Sequence, residues 1–287
     1  MPIAQFDGAL AVVTGAGRGL GRATALALAE RGATVVAADL DRPAAERTAA
    51  QAAKLGAGGV AYEVDVSDAA AMERFAAWVR AEHRVPDIVV NNAGILVNGP
   101  FLETGLDDWE RIVGVDLWGV IHGCRLFGRQ MAERVRALPV RPEPPNFGGH
   151  IVNIASAAAF APWRGQAAYN TTKAAVVMLS ESLRAELAGL RIGVTAVCPG
   201  FTTTGIAQAA TFVGLDEAGR RRARERAQKM LRMRNYPPEK VAERIVAAIA
   251  KNKPLVPVGA ESHLVRALSR LSPGAMRLLA RVPNPLA

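Results

Sequence analysis

Ser156, Tyr169 and Lys173 are the residues best suited to chemistry, and they lie within the segment IVNIASAAAFAPWRGQAAYNTTK. A phenol is a weak acid with a reference pKa of about 10, so proton transfer near neutral pH needs a cation that stabilises the phenolate. Tyr169 and Lys173 are four residues apart and would share one face of a helix. Lys173 can therefore lower the pKa of Tyr169, and Ser156 can hydrogen-bond the reacting oxygen.

The surrounding sequence predicts how these residues are positioned. Residues 151–155 are apolar except for Asn153 and predict a buried parallel strand that ends at Ser156. A loop with Pro162 and Gly165 follows, and residues 167–187 have the composition of a long helix. A Tyr-x-x-x-Lys pair found alone is usually a chance neighbour pair on a helix, so a cofactor site elsewhere in the chain is needed to support the catalytic interpretation.

Composition limits the class of protein. The chain has 287 residues, of which 50% are hydrophobic and 21% are charged, so it can bury a large core as one α/β domain. Its net charge of +9 does not by itself identify a partner. We expect no nucleic acid partner, because the basic segment GRRRARERAQKMLRMR carries an apolar stripe typical of an amphipathic helix.

Cysteine and histidine usage predicts neither disulfides nor a metal site. Cys124 and Cys198 lie far apart in apolar runs, which favours a reducing compartment. The four histidines show no metal-ligand spacing with the cysteines or with one another. The sequence has no signal-peptide pattern near Met1 and no apolar run as long as a membrane span, so we expect a cytoplasmic protein.

The first third of the chain carries the signals of a dinucleotide site. Residues 9–14 predict a central parallel strand, followed by TGAGRGLG and a helix. The glycines permit a tight turn and close approach of the backbone to a pyrophosphate, which the helix N-terminus favours. A second predicted strand, 33–38, leads to Asp39, a residue placed to receive the adenosine ribose hydroxyls and to repel a 2′-phosphate. Arg18 instead favours NADP, because a cation in this loop can pair with a 2′-phosphate.

Further strands and helices alternate along the rest of the chain. Residues 60–64 predict a third strand, after which Ser67 is a plausible N-cap for a helix through His83. A fourth strand, 87–90, runs into NNAG, and a helical stretch covers residues 107–136. The Pro- and Gly-rich segment ALPVRPEPPNFGG predicts a surface insertion. The last two predicted strands are residues 192–197, which precede PGFTTT, and residues 255–258.

The C-terminal part is expected to cover the substrate site. Residues 205–236 predict a substrate lid with a helix whose apolar stripe comprises Ala223, Ala227, Met230 and Leu231. Residues 1–260, which include this lid, are expected to form one dinucleotide-binding and catalytic domain, with residues 261–287 as a helical tail. The tail could cover the substrate mouth, pack on a partner subunit or rest on a membrane surface; subunit or core packing is the default interpretation.

The combined pattern predicts an α/β fold, a single-domain, Rossmann-like, doubly wound parallel sheet of about seven strands with helices on both faces. The motifs TGxxxGxG, NNAG, Ser-x12-Tyr-x-x-x-Lys and PG, found in this order over residues 6–258, resemble those of the short-chain dehydrogenase/reductase family. The resemblance implies hydride transfer between NAD(H) and a secondary alcohol or ketone in a homodimer or homotetramer. NAD is predicted in preference to NADP because of Asp39.

The resemblance also assigns roles to particular residues. Ser156, Tyr169 and Lys173 would be catalytic, together with Asp116 at the position where the family usually has Asn. Asp65 and Val66 match the adenine contact, and Thr202 and Thr204 match the residues that hold the nicotinamide carboxamide. The full predicted cofactor site is Gly15, Gly17, Arg18, Gly19, Leu20, Asp39, Leu40, Asp65, Val66, Asn92, Ala93, Gly94, Tyr169, Lys173, Pro199, Gly200, Thr202 and Thr204.

Asp116 is the one clear departure from the family pattern. An ionised carboxylate near Lys173 would raise the pKa of the lysine and offset its effect on Tyr169. This departure keeps open a non-catalytic dinucleotide-binding regulatory protein, whereas Arg18 keeps open an NADPH-dependent ketone or 3-oxoacyl reductase. The substrate is expected to be bulky and hydrophobic, such as a steroid, terpenoid, aromatic or long-chain alcohol, because the predicted pocket walls are Ala157, Ala158, Phe160, Trp163, Phe201 and Phe212.

Overall fold

A computed structural model describes residues 3, 5–137, 148–203, 206, 209–234 and 236–281, without the side chains of residues 230–234. Its main sheet has seven parallel strands in the order β3-β2-β1-β4-β6-β7-β9. These strands are β1 (Leu10–Thr14), β2 (Thr34–Asp39), β3 (Gly58–Glu63), β4 (Ile88–Asn91), β6 (His150–Ile154), β7 (Gly193–Pro199) and β9 (Leu255–Val258). The predicted Rossmann-like sheet is confirmed.

Helices cover both faces of this sheet, which is why its strands are apolar on both sides. Val13 of β1 packs in one hydrophobic cluster with Leu28 and Ile245, whereas its neighbour Val12 packs in a second cluster with Phe75 and Phe127. The helices are α1 (Gly19–Ala29), α2 (Arg42–Leu55), α3 (Ala69–Glu82), α4 (Leu106–Val113), α5 (Gly119–Ala137), α6 (Ala167–Leu187), α7 (Glu217–Arg234), α8 (Pro238–Ala250), α9 (Ala260–Leu271) and α10 (Pro273–Leu279).

Several element boundaries differ from the predicted ones. Strand β3 begins at Gly58 rather than at residue 60, because Gly59 lets the strand pass under α2, where a Cβ would clash with the Ala49 carbonyl. The prediction of Ser67 as N-cap was wrong. Asp68 caps α3 by accepting hydrogen bonds from Ala70 N and Ala71 N, while Ser67 Oγ donates to Asp65 Oδ1.

The predicted continuous helical stretch over residues 107–136 is interrupted by a π-helical segment, Gly114–Trp118, between α4 and α5. A second small parallel sheet pairs β5 (Val97–Asn98) with β8 (Thr211–Phe212), an element that the sequence analysis did not predict. Most of the predicted surface insertion, residues 138–147, lies outside the described residues. Among the described helices, none is both long enough and apolar enough to cross a membrane.

Candidate active site

Ser156, Tyr169 and Lys173 come together at the carboxyl end of β6. Ser156 follows the strand and begins a short helical turn, where its Oγ accepts a hydrogen bond from Ala158 N at 3.1 Å. Ser156 lies close enough to Tyr169, in the first turn of α6, to lower the pKa of its phenol. Lys173 Nζ lies 5.5 Å from the centroid of the Tyr169 ring. This arrangement is the one that the spacing of the three residues predicted.

The ammonium of Lys173 is buried and held by two oxygens. Its Nζ lies 3.0 Å from Asp116 Oδ2 and donates to the Ile154 carbonyl at 3.2 Å. The other Asp116 oxygen, Oδ1, accepts a hydrogen bond from Ile95 N at 2.7 Å. Asp116 has no exposed surface and Lys173 is 3% exposed. The carboxylate therefore faces the lysine directly, while Ile95 N, just after NNAG, holds its other oxygen.

Asp116 lies in the π-helical segment Gly114–Trp118, which positions its carboxylate beside Lys173. A π-turn widens the helix locally and often occurs at functional sites. Gly119, where α5 begins, lies so close to Val66 that a Cβ there would be 2.7 Å from the valine Cγ2. The small residue thus permits the irregular helix to approach the sheet edge.

The charges in this cluster shift one another's pKa values. Burial lowers the pKa of Lys173, but Asp116 and Tyr169 raise it, and the pKa lies above its usual value. Burial raises the pKa of Tyr169; Lys173 and Ser156 lower it, Asp116 raises it, and the net direction is upward. Burial also raises the pKa of Asp116, against the opposing effects of Lys173 and Ile95 N. The predicted lowering effect of Lys173 on the pKa of Tyr169 is therefore present, but burial outweighs it.

The glycine loop between β1 and α1 has the shape of a cradle for a pyrophosphate. Gly15 and Gly19 have positive φ angles of 62° and 52°, and a Cβ on Gly21 would clash with the Gly15 carbonyl. Arg18, the residue before α1, makes no side-chain capping hydrogen bond with the first turn of the helix. The N–H groups of that turn are therefore not capped by Arg18 and can bind an anion. Leu20, in the first turn of α1, is buried. The predicted dinucleotide fits this loop.

Asp39 closes the cradle from the end of β2. Its Oδ2 accepts a hydrogen bond from Gly17 N at 2.8 Å, and its Oδ1 accepts one from Asp41 N at 2.9 Å. Leu40 is 67% exposed beside it, and this apolar surface suits an adenine ring. Arg18 turns to Asp41 instead of Asp39, with 3.4 Å between Nη2 and Oδ2 in a solvent-exposed pair.

The remaining predicted adenine contacts lie after β3. The Oδ1 of Asp65 accepts hydrogen bonds from both Ser67 N and Ser67 Oγ, at 2.9 Å and 2.6 Å. The side chain of Val66 is buried in the core, and its carbonyl lies 3.0 Å from His122 Nδ1. This turn is thus fixed by its own side chains before any ligand binds.

The NNAG turn is tied to the end of β1 by Thr14, the threonine of the TGxxxGxG motif, for which no separate role was predicted. Thr14 Oγ1 accepts hydrogen bonds from Asn92 N and Ala93 N at 3.0 Å and 3.2 Å. Asn92 Nδ2 donates to the carbonyls of Thr14 and Gly15 at 2.9 Å and 3.0 Å. Gly94 lies beside the buried ion pair, because a Cβ there would be 3.4 Å from Lys173 Nζ.

The PG segment after β7 is held from α9. Pro199 ends β7, and Gly200 N donates to the Val258 carbonyl at 2.8 Å. Glu261 Oε1 accepts from Phe201 N at 2.8 Å, and Ser262 Oγ donates to the Cys198 carbonyl at 2.7 Å. The sequence analysis missed Glu261 and Ser262.

Of the two threonines predicted near the nicotinamide, the structure describes only Thr202. Thr202 is buried, and its Oγ1 donates to the Gly200 carbonyl at 3.4 Å. Thr204 lies outside the described residues.

An apolar cluster covers Tyr169 on the predicted substrate side. Leu96, Ala210 and Phe212 form its buried part, and Tyr169 and Ala223 of α7 pack against it. Ala227, one turn further along α7, is also buried, whereas Arg221, Arg222 and Arg226 are exposed. The predicted amphipathic helix is therefore present, although the side chains of Met230 and Leu231 lie outside the description. In the part of the chain that is described, His, Cys, Asp and Glu side chains form no group of three that could hold a metal ion.

Comparison with known proteins gives the family. The family model for short chain dehydrogenases matches residues 9–211. The chain belongs to the short-chain dehydrogenase/reductase family. A short-chain dehydrogenase/reductase of Burkholderia phymatum, solved in complex with NAD, superposes with a TM-score of 0.81 at 30% identity and covers 99% of both chains. The predicted resemblance is thereby confirmed.

Two further relatives are similar to this chain over most of its length. The 3-ketoacyl-(acyl-carrier-protein) reductase of Brucella melitensis, solved with NADH, has a TM-score of 0.74 at 27% identity over 90% of this chain and 100% of that one. A Mycobacterium tuberculosis protein named "Probable oxidoreductase EphD" is 45% identical over 283 residues, 98% of this chain and 46% of that protein. The chain thus spans slightly less than half the length of this relative.

Proposed function

We propose that this protein transfers a hydride between NAD(H) and a secondary alcohol or ketone, with Tyr169 as the acid and base. The observation that carries the proposal is that Ser156 and Lys173 both lie beside Tyr169: both lower the pKa of its phenol, and Lys173 Nζ is 5.5 Å from the ring centroid. A proton carrier, a hydrogen-bond donor for the reacting oxygen and a cation thus meet in one partly desolvated site.

Each side chain has a separate role in this proposal. During oxidation the Tyr169 phenolate accepts the proton of the substrate hydroxyl, and during reduction the phenol returns it to the carbonyl oxygen. Ser156 Oγ donates a hydrogen bond to that oxygen, and Lys173 stabilises the phenolate. The bound dinucleotide supplies the hydride chemistry at its nicotinamide ring.

The residues proposed to hold the dinucleotide favour NAD. The amides of the glycine loop would face the pyrophosphate, and the Asp39 carboxylate would accept hydrogen bonds from the adenosine ribose hydroxyls. A 2′-phosphate would bring a second negative charge close to the Asp39 carboxylate. The oxygens of this carboxylate already accept hydrogen bonds from Gly17 N and Asp41 N. The exposed pair between Arg18 and Asp41 directs the loop cation away from Asp39.

The apolar cluster beside Tyr169 supports a bulky hydrophobic substrate. Leu96, Ala210 and Phe212 are buried there, and Ala223 of α7 packs against them. Steroid-, terpenoid-, aromatic- or long-chain-like secondary alcohols match such a wall better than sugars do.

A panel of hydrophobic secondary alcohols, assayed with NAD by the absorbance of the reduced nicotinamide, tests this proposal. We expect turnover with several members of the panel and none with the Tyr169→Phe variant. A clear preference for polyols or acyl thioesters would overturn the substrate class while leaving the reaction class intact.

Arg18 favours a second candidate function, that of an NADPH-dependent ketone or 3-oxoacyl reductase. Its ion pair with Asp41 is solvent-exposed and therefore weak, so a 2′-phosphate could capture the guanidinium. The similarity to the Brucella melitensis 3-ketoacyl reductase is consistent with the 3-oxoacyl substrate. Comparing kcat/KM for NADH and NADPH with ketone and 3-oxoacyl thioester substrates separates this candidate from the first.

Asp116 is the feature that supports a non-catalytic dinucleotide-binding protein, because its carboxylate neutralises the lysine that should activate Tyr169. Dinucleotide binding without turnover of any alcohol or ketone, across the accessible pH range, would favour that regulatory role. Measurable turnover that requires Tyr169 would exclude it.

A further inference from the structure

The C-terminal helices α9 and α10 expose a row of leucines. Leu264 and Leu271 are 67% and 85% exposed and lie seven residues apart, on one face of α9. Leu278 of α10 is 64% exposed, and Leu279 beside it is 47% exposed. Core packing, part of the default interpretation of this tail, therefore accounts for Met276 and Ser262, which are buried, but not for these leucines.

Exposed arginines accompany the leucines, and the same stretch of sequence supplies no acidic side chain. Arg270 lies beside Leu271 on α9, Arg277 lies beside Leu278 on α10, and Arg281 follows. The sequence from residue 262 to residue 287 contains neither Asp nor Glu. Glu261, the acidic residue closest in sequence, accepts a hydrogen bond from Phe201 N in the PG segment. The surface formed by residues 263–281 is thus both apolar and basic.

We propose that this surface docks on an anionic lipid bilayer. Exposed leucines interleaved with arginines match the interfacial zone, where apolar side chains enter the headgroup and acyl boundary and cations meet lipid phosphates. This inference is independent of the proposed reaction, since it uses none of the residues that would hold the dinucleotide or move the proton.

Charge argues against a second copy of the chain as the occupant. In a two-fold interface the same patch faces itself, so Arg270, Arg277 and Arg281 of one copy would meet the same arginines of the other. With no acidic residue among positions 262–287, this patch offers no partner charge to relieve the repulsion. An anionic bilayer supplies that charge over its whole area.

The docked surface would lie next to the candidate active site. Helix α9 packs against the short helical turn Ala157–Phe160 that follows Ser156. Its first turn also holds the PG segment through Glu261 and Ser262. Since these contacts fix α9 to the domain, docking requires no rearrangement of the dinucleotide cradle.

Flotation of the full chain with lipid vesicles tests the proposal. Vesicles of phosphatidylcholine mixed with phosphatidylglycerol should carry the protein at low salt, whereas vesicles of phosphatidylcholine alone should not. High salt should release it, because the attraction to the anionic surface is screened. Losing one arginine should weaken binding about fivefold, and losing one inserted leucine should weaken it by roughly tenfold or more.

The decisive variant is Arg270→Gln with Leu271→Gln, and its matched control is Arg47→Gln with Leu55→Gln on α2, where both side chains are also exposed. Both proteins should keep the wild-type Tm and affinity for NAD, and only the α9 variant should lose vesicle binding. Equal binding of the wild type to both vesicle types, or of the two variants to anionic vesicles, would overturn the proposal. Failure of the wild-type protein to float with anionic vesicles would also overturn it. If the oligomeric state, measured by light scattering, then changed in the α9 variant alone, the surface would instead bind a second copy of the chain.

Discussion

Asp116 Oδ2 lies 3.0 Å from Lys173 Nζ, and both side chains are buried. The pair places a carboxylate at the position where the family usually has an amide. Two opposite charges at this distance in a buried site interact strongly, so the field of the lysine at Tyr169 is partly cancelled. The pKa of Tyr169 is accordingly pushed up by burial and by Asp116, against the lowering effect of Lys173.

The variant Asp116→Asn should shift the pH dependence of alcohol oxidation. Oxidation requires the phenolate, so its rate rises as the pH passes the pKa of Tyr169. Removing the carboxylate removes one of the effects that raise this pKa, and the rise in kcat/KM should therefore move to lower pH. Asn has nearly the same shape and can still accept a hydrogen bond from Ile95 N, so we expect activity to be retained.

Kinetics across pH with Asp107→Asn as the control would check this prediction, because Asp107 is an exposed residue in the first turn of α4. An unchanged profile in Asp116→Asn would mean that Asp116 does not influence the titration of Tyr169. A loss of all activity would mean that the carboxylate itself takes part in the reaction.

The variant Tyr169→Phe should abolish turnover while leaving NAD binding nearly intact. It deletes the proton carrier, and general acid–base groups contribute about 10²- to 10⁴-fold to the rate. Steady-state kinetics and fluorescence titration with NADH measure the two effects separately. The matched change Tyr62→Phe, in the aromatic cluster with Phe75 and Trp78, should leave the rate unaltered. A tenth of the wild-type rate in Tyr169→Phe would refute the acid and base role.

The variant Lys173→Ala should lose both turnover and cofactor affinity. The ammonium is expected to contact the nicotinamide ribose as well as to stabilise the phenolate. Its removal also leaves Asp116 buried without a counter-charge, which costs about 3–5 kcal/mol of folding stability if the carboxylate remains ionised. Urea unfolding would measure that loss, and adding Asp116→Asn to Lys173→Ala should restore much of the stability but not the turnover.

The variant Asp39→Ser should erode the preference for NAD over NADP. A 2′-phosphate beside this carboxylate costs about 2–4 kcal/mol in a partly exposed site. Comparing kcat/KM for the two cofactors measures the change. Asp41→Ser is the control, because it removes the partner of Arg18, retains an N-cap residue for α2 and leaves Asp39 in place. Equal use of both cofactors by the wild type would show that Arg18 already dominates.

The sequence predicted the elements whose signal is local. Residues 255–258 and 167–187 match β9 and α6 because periodic apolar runs with clear ends specify them. The two-residue strands β5 and β8 escaped prediction, since their pairing joins Val97 to Thr211 across more than a hundred residues. Glu261 was not predicted for the same reason, because its hydrogen bond with Phe201 N depends on how α9 meets the end of β7.

Ionisation was harder to predict than position. The spacing of Tyr169 and Lys173 correctly predicted that they meet, but it contained no measure of burial. Burial is the largest influence on the pKa of Tyr169, and it outweighs the predicted lowering effect of Lys173. The prediction of Ser67 as N-cap failed for a related reason, since its neighbour Asp68 can also cap a helix and only the folded turn shows that Ser67 is engaged by Asp65.

His150 provides a prediction about stability rather than activity. It is fully buried at the start of β6, with Nε2 2.8 Å from Thr195 Oγ1. The Thr195 hydroxyl donates to the Lys253 carbonyl at 2.6 Å, so its oxygen can accept and His150 Nε2 must carry the proton. Burial, together with the positive charge of Arg184, lowers the pKa of His150 to about 3.

This lowered pKa should make the fold weaker in mild acid. Between the unfolded pKa of about 6.5 and the folded pKa of about 3, the unfolded chain binds a proton at His150 that the folded chain does not bind. Stability from this group is therefore fully present above about pH 6.5 and declines as the pH falls towards 3. From pH 7 to pH 5 the loss from His150 alone is about 2 kcal/mol.

Urea unfolding at these two pH values, in the wild type and in His150→Asn, measures the effect. The variant will lose stability at neutral pH because its shorter side chain leaves a gap near Thr195, so the informative quantity is the change between the two pH values. That change should be about 2 kcal/mol smaller in His150→Asn than in the wild type. His263→Asn, which alters an exposed histidine in the first turn of α9, should retain the wild-type change. If His150→Asn and the wild type lost equal stability, His150 would not be the neutral buried histidine that its surroundings indicate.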